Sequence, residues 1–119
     1  MVINVAITGY PAGGPVIFGY TPVEVVVTIS NRLIGPIRVT ITSTGPKAQL
    51  SFYARAESPP VNSLTLTIPA ASNTVTFFVG GRFGSRSSNL NDGTIRIAAD
   101  SVPPSPVNAA QQAIPVTVR

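Results

Sequence analysis

Apolar residues alternate with polar residues at every second position through most of this 119-residue chain. A period of two is typical of β-strands that bury one face, because successive side chains point to opposite sides of the backbone. In Val23–Ile29, for example, every odd-numbered residue is Val or Ile. The pattern predicts eight strands: Val2–Thr8, Val23–Ile29, Ile37–Ser43, Leu50–Arg55, Leu64–Ile68, Val75–Val79, Thr94–Ala99 and Ile114–Val118.

Gly and Pro residues separate these runs and predict turns, as at Gly35-Pro36, Gly45-Pro46, Pro59-Pro60 and Gly80-Gly81. A short edge strand is expected at Val16–Phe18, and a single helical turn is expected within Val107–Ile114. No long amphipathic helix separates the strands, which excludes a parallel α/β fold.

These short, closely spaced strands predict an all-β fold in which residues 1–119 form a single domain. We expect an antiparallel two-sheet β-sandwich of seven or eight strands, with immunoglobulin-like strand order. A jelly-roll order remains open. A barrel of the oligonucleotide-binding type fits less well, because that fold usually has fewer strands.

The composition excludes several kinds of chemistry. The chain has no His and no Cys, so it cannot build the usual zinc, haem or iron–sulfur sites or use imidazole or thiol catalysis. Its four acids, Glu24, Glu57, Asp92 and Asp100, lie on separate segments, whereas catalysis by carboxylates needs two at a set distance. We therefore predict that the chain is not an enzyme and binds no cofactor or metal.

The run Leu64–Gly80 resembles the hairpin of bacterial Ig-like and Calx-β-type repeats, and Asn91–Ile97 and Ala113–Val118 are similar to their last two strands. The resemblance covers roughly the C-terminal half and implies an Ig-like sandwich. Calx-β modules that bind calcium use several acidic loop residues. The dispersed acids of this chain do not reproduce that arrangement, so calcium binding is not carried over.

Eight cations give the chain a net charge of +4, but they are not clustered, so a nucleic-acid-binding arm is not expected. If Leu50–Arg55, Ile37–Ser43, Thr94–Ala99 and Ile114–Arg119 share one sheet, its outer side carries Arg38, Tyr53, Arg55, Arg96, Thr117 and Arg119. We name the first four a candidate binding face for an anionic polymer or glycan. The alternative is that these Arg residues maintain solubility and block edge pairing.

A candidate packing surface is expected on the other sheet. Phe77 and Phe78 are adjacent, so a regular strand buries only one of them. The outer side would carry Val26 and Phe78 with Thr28, Thr65, Thr67 and Thr76. A β-bulge, or coverage by the Tyr10–Thr21 loop, would account for Phe78 without a partner.

The polar loop Arg82–Asp92 is a candidate recognition loop through Arg82 and Arg86. Its Ser and Gly content also fits a flexible connector. Lys47, the only lysine, follows a Gly-Pro turn and is interpreted as a solvated side chain.

Together these features predict a non-catalytic structural or adhesion module of a surface protein, filament or viral particle. It would pack against a protein partner or copies of itself, including by addition of a terminal strand. The alternative is an accessory domain of a larger enzyme that binds an anionic polymer or glycan. No signal peptide is visible, and no apolar run is long enough for membrane insertion. The extracellular space or a particle surface is the expected location.

Overall fold

A computed structural model describes residues 1–31, 35–45, 49–103 and 109–119, so the interpretation of Lys47 lies outside the described residues. The described residues form no helix. They form nine strands, where the sequence predicted seven or eight: β1 (Val2–Ile7), β2 (Val16–Phe18), β3 (Val23–Ser30), β4 (Ile37–Thr44), β5 (Leu50–Tyr53), β6 (Ser63–Ile68), β7 (Thr74–Gly81), β8 (Gly93–Ser101) and β9 (Ala110–Val118). The short edge strand predicted at Val16–Phe18 is confirmed as β2.

The strands form two sheets, which confirms the all-β, two-sheet part of the predicted fold. The four-stranded sheet has the order β1-β3-β7-β5, and the five-stranded sheet has the order β2-β9-β8-β4-β6. Neighbouring strands are antiparallel except β2 and β9, which are parallel. The chain therefore contributes its first strand to one sheet and its second strand to the other.

The core is built from the inward-facing positions of the two sheets, as the period of two predicts. On β3, Val25, Val27 and Ile29 are buried, and on β4 the same is true of Ile37, Val39 and Ile41. Phe18, Phe52 and Phe77 are the largest fully buried side chains. Phe52 and Phe77 meet edge to face, with ring centroids 6.2 Å apart.

One predicted pairing is wrong. Leu50–Arg55 was expected beside Ile37–Ser43, but β5 ends at Tyr53 and pairs with β7 in the four-stranded sheet. The position beside β4 belongs to β6, whose residues pair from Ser63 to Ile68. The alternation of apolar and polar side chains identifies a strand and its buried face. It does not show to which sheet the strand belongs, because both sheets have an apolar inner face.

Two local predictions are also wrong. Gly80-Gly81 is not a turn but the end of β7, where it pairs with Ser51 and Leu50. The predicted helical turn is instead a strand in its described part, because Ala110–Ala113 pairs with Arg96–Ala99 of β8. Hydrogen bonding to a central strand outweighs the weak helix propensity of a short Ala- and Gln-containing run.

Candidate interaction site

Two aromatic side chains meet at one end of the molecule, and one of them, Tyr20, also packs against the core. Tyr20 lies between β2 and β3, and Phe83 lies in the connection from β7 to β8. Their ring centroids are 5.5 Å apart and the planes are tilted by 42°. Phe83 nevertheless remains 89% exposed. Phe83 therefore presents most of its ring to solvent beside Tyr20.

The glycines at the end of β7 bring these segments together. The Gly81 N–H donates to the Gly19 carbonyl at 2.7 Å. A Cβ at Gly81 would lie 2.4 Å from Cγ1 of Val118, and one at Gly80 would lie 3.1 Å from the Tyr20 carbonyl oxygen. A side chain at Gly81 would collide with Val118, and one at Gly80 would crowd the Tyr20 segment where it crosses the end of the strand.

Arg86 completes the cluster. Its Nε–H donates to the Tyr20 hydroxyl at 3.0 Å, and its Cζ lies 5.7 Å from the Tyr20 ring centroid. That separation is near the outer limit of a cation–π contact, so the hydrogen bond is the stronger restraint. Arg86 remains exposed, so its guanidinium is oriented by Tyr20 and open to solvent.

Two further cations lie at the same end. Arg119 follows β9, and its backbone N–H donates to the Phe18 carbonyl at 2.8 Å. Arg119 also lines a shallow depression together with Arg86, Ser87 and Ser88. Arg82 follows β7 and donates from Nη1 to Oε1 of Gln49 at 3.1 Å. We call the set Tyr20, Phe83, Arg82, Arg86 and Arg119 the aromatic–arginine end.

The loop that carries Arg86 is bound to β9. The Ser87 N–H donates to the Val118 carbonyl at 2.6 Å, and the Thr117 hydroxyl donates to the Asn89 carbonyl at 2.7 Å. The Ser87 hydroxyl also donates to the Asp92 carboxylate. Thr117, predicted to face outward, is buried because the loop covers it. These contacts favour a positioned loop over a flexible connector.

The outer side of the four-stranded sheet carries the predicted packing residues Val26 and Phe78, together with Thr28 and Thr76. Phe77 is fully buried whereas Phe78 is half-buried. The β3–β7 register runs unbroken through Val25–Phe77 and Glu24–Phe78, which excludes a bulge at these residues. Tyr53 lies directly opposite Phe78 on β5.

The Tyr10–Thr21 segment, the predicted alternative cover for Phe78, reaches the four-stranded sheet at Gly80 and Gly81 of β7. The same segment contains β2, which belongs to the other sheet. Thr65 and Thr67, predicted on the packing surface, lie instead on β6 in the five-stranded sheet. Thr65 and Thr67 were predicted on the wrong sheet because Leu50–Arg55, and not β6, was expected beside β4.

The predicted four-residue binding face is divided between the two sheets. Arg38 and Arg96 are exposed on β4 and β8 of the five-stranded sheet, but Tyr53 is on β5 and Arg55 follows it. Asp100 lies directly opposite Arg38 in the β4–β8 register. The cationic character of this face is therefore reduced at Arg38, where an acid is its cross-strand neighbour.

The sequence singled out Arg82 and Arg86 but missed Tyr20 and Phe83. A signal for Phe83 was present, since it is a lone aromatic residue in a polar loop with no strand periodicity around it. Nothing in the sequence indicated that Tyr20, more than 60 positions from Phe83 along the chain, would supply the second ring.

In residues 1–31, 35–45, 49–103 and 109–119, no group of three or more His, Cys, Asp or Glu side chains is arranged to hold a metal ion. The same part of the chain contains no helix with the length and apolar character needed to cross a membrane. No known family model matches the sequence, and no curated protein matches it either.

Proposed function

We propose that this protein is a non-catalytic structural module that acts by packing against copies of itself. One observation carries the proposal: the outer side of the four-stranded sheet combines Phe78, Tyr53 and Val26 with Thr residues and is almost free of charge. Glu24 is the only charged residue in β1, β3, β5 and β7. Exposed sheet faces are normally charged, and charged residues are depleted where proteins pack together.

The strand order supports an Ig-like sandwich as the scaffold. The orders β1-β3-β7 and β9-β8-β4 correspond to strands A-B-E and G-F-C of immunoglobulin domains. The departure lies between strands C and E. The chain first enters the sheet of E with β5 and then returns beside C with β6. We propose that the scaffold is an Ig-like sandwich with this one departure.

A second copy is the occupant that the surface chemistry favours. The face has no cation to pair with an acidic partner and only one acid to attract a basic one, so complementarity must come from shape and apolar contact. The four strands have 6, 8, 4 and 8 residues, so their flat outer face covers about 400 Å². This is about half of the ~800 Å² per partner of an ordinary specific interface. We therefore expect a weak, concentration-dependent association.

Light scattering coupled to size-exclusion chromatography, over a concentration series, tests the proposal. The unmodified protein should shift from monomer to dimer or higher oligomer as concentration rises. Phe78→Thr should weaken this association by at least about tenfold, since truncation of a central aromatic residue has that effect at many interfaces. Val26→Thr, a nearly isosteric change on the neighbouring strand, should weaken it less.

Phe83→Thr is the matched control, because it removes the same side chain from a different surface. An unmodified protein that stays monomeric at the highest concentration would refute self-packing. Equal loss in Phe83→Thr and Phe78→Thr would show that the outer side of the four-stranded sheet is not the specific interface. The alternative role, anionic-polymer binding through Arg38 and Arg96, gains no support from a face in which Asp100 opposes Arg38.

A further inference from the structure

We propose that the aromatic–arginine end is a docking site for an acidic segment of another protein, one in which an aromatic or aliphatic side chain adjoins the carboxylates. The site is separate from the sheet face assigned to self-packing. The two proposals can therefore fail independently.

The charge at this end is unbalanced. Arg86 and Arg119 line one depression, and Arg82 directly precedes Phe83 in the chain. The acid of the connecting loop, Asp92, accepts a hydrogen bond from Ser87. Among the described residues, the hydrogen bond from Arg86 to Tyr20 engages Nε. That geometry leaves the two terminal nitrogens of the guanidinium for a bidentate contact with a carboxylate.

The Arg86 side chain is also oriented before any ligand arrives. The Tyr20 hydroxyl holds Nε at 3.0 Å, and Tyr20 is itself placed by the crossing over Gly80 and Gly81. The loop is fixed on its other side by Ser87 and Thr117. A guanidinium held in this way loses less side-chain entropy on binding than a free surface Arg does.

Phe83 indicates that the partner is a protein rather than an anionic polysaccharide. It is 89% exposed and stands beside Tyr20. A sulfated or carboxylated polysaccharide would use the cations and gain little from an exposed Phe. A peptide with an apolar side chain next to its acids would use both.

A second copy of this chain is a poor partner for this end. The sequence holds four acids, Glu24, Glu57, Asp92 and Asp100, and no two of them are neighbours. A segment with adjacent carboxylates must therefore come from elsewhere than these 119 residues.

Fluorescence anisotropy with short labelled peptides tests the proposal on the whole chain. The main probe has four Glu around a central Phe. One comparison peptide replaces each Glu by Gln, another replaces the Phe by Ser, and a sulfated heparin oligosaccharide is the non-protein anion. The acidic Phe peptide should bind most tightly, and its affinity should fall with salt because charged contacts are screened.

Three variants locate the site. Arg86→Gln and Phe83→Thr should each weaken binding of the acidic Phe peptide by about tenfold, the size of a typical hot-spot loss. Tyr20→Phe keeps the ring and the cation but removes the hydroxyl that orients Arg86, so it should give a smaller loss. Arg96→Gln, an exposed Arg on the five-stranded sheet, is the charge-matched control and should change binding less than about twofold.

Each contrary result refutes a definite part of the proposal. Failure of the acidic Phe peptide to bind at millimolar concentration overturns it. Equal losses from Arg96→Gln and Arg86→Gln would mean diffuse charge attraction rather than a site. Tighter binding of the heparin oligosaccharide, unaffected by Phe83→Thr, would assign the end to an anionic polymer. Phe78→Thr should leave peptide binding unchanged, which keeps this test apart from the test of self-packing.

Discussion

Gly45 is a residue at which two parts of the backbone approach closely. It follows β4 with a φ of +112°, a conformation that side chains other than glycine disfavour. A Cβ at this position would lie 2.1 Å from the Asp92 carbonyl oxygen and 2.7 Å from the Gly93 Cα. The Gly-Pro pair predicted a turn here from sequence. The close approach of Gly45 to Asp92 and Gly93 was not predictable in the same way, because it arises only when the sheet is assembled.

We therefore expect Gly45→Ala to destabilise the protein well beyond the cost of its backbone conformation. Gly84→Ala is the matched control, because Gly84 also has a positive φ, +85°, but has no atom within 4 Å of an added Cβ. Gly84→Ala should lower the free energy of unfolding by about 1–2 kcal/mol, from backbone strain alone. Gly45→Ala should cost at least about 3 kcal/mol, because a backbone clash adds to that strain. Urea denaturation measures both, and equal costs would contradict the close approach.

Among the strands, β9 is paired with β2 along only part of its outer edge. β2 pairs with Val116–Val118 alone, so within the described residues the edge of β9 from Ala110 to Pro115 has no partner strand. The Arg119 N–H points to β2, and a period of two puts the Pro115 nitrogen on that same side. Proline has no N–H to donate, so it ends the parallel pairing and interrupts the open edge.

Replacement of Pro115 by Val should restore a donor on an apolar edge and promote strand addition between molecules. The expected result is aggregation at a lower protein concentration, measured by static light scattering over time. Pro115→Lys restores the same N–H but adds a charge that opposes edge pairing, so it should aggregate less than Pro115→Val. If both variants stay as dispersed as the parent, Pro115 does not protect this edge.

The strands themselves were largely predictable from sequence, whereas their partners were not. The period of two located the buried face of β3 and β4 because burial acts on each strand separately. The sheet to which Leu50–Tyr53 belongs depends on competition between β5 and β6 for one edge of β4, which no local pattern encodes. The same limit applies to the candidate site, where Arg82 and Arg86 were recognised but Tyr20 was not.

In the molecule as a whole, the pairing of β2 with β9 joins an early segment of the chain to its last strand. Val16 pairs with Val116, residues that lie 100 positions apart in the sequence. Phe18 is fully buried and contacts Tyr10 edge to face at 5.9 Å. Contacts between distant parts of a chain carry a large loop-closure entropy, so they tend to form late in folding.

We expect Phe18→Leu to raise the unfolding rate and to leave the refolding rate nearly unchanged. A loss of about 1 kcal/mol of stability would then appear as roughly fivefold faster unfolding. Ile97→Val, in the centre of the five-stranded sheet between β4 and β9, should slow refolding as well. Stopped-flow refolding and unfolding in urea separate the two effects. Slower refolding in Phe18→Leu than in Ile97→Val would place the β2–β9 pairing early instead.

The parallel direction of β2 and β9 also determines how the molecule responds to tension. A force that draws the chain before Val16 away from the chain after Val118 slides these two strands along each other, because they run the same way. All the hydrogen bonds between the strands then share the load and must break together. In an antiparallel hairpin pulled at its open end, the bonds break one after another. This short parallel pair would therefore resist a pull along the strands more strongly than an antiparallel hairpin pulled at its open end.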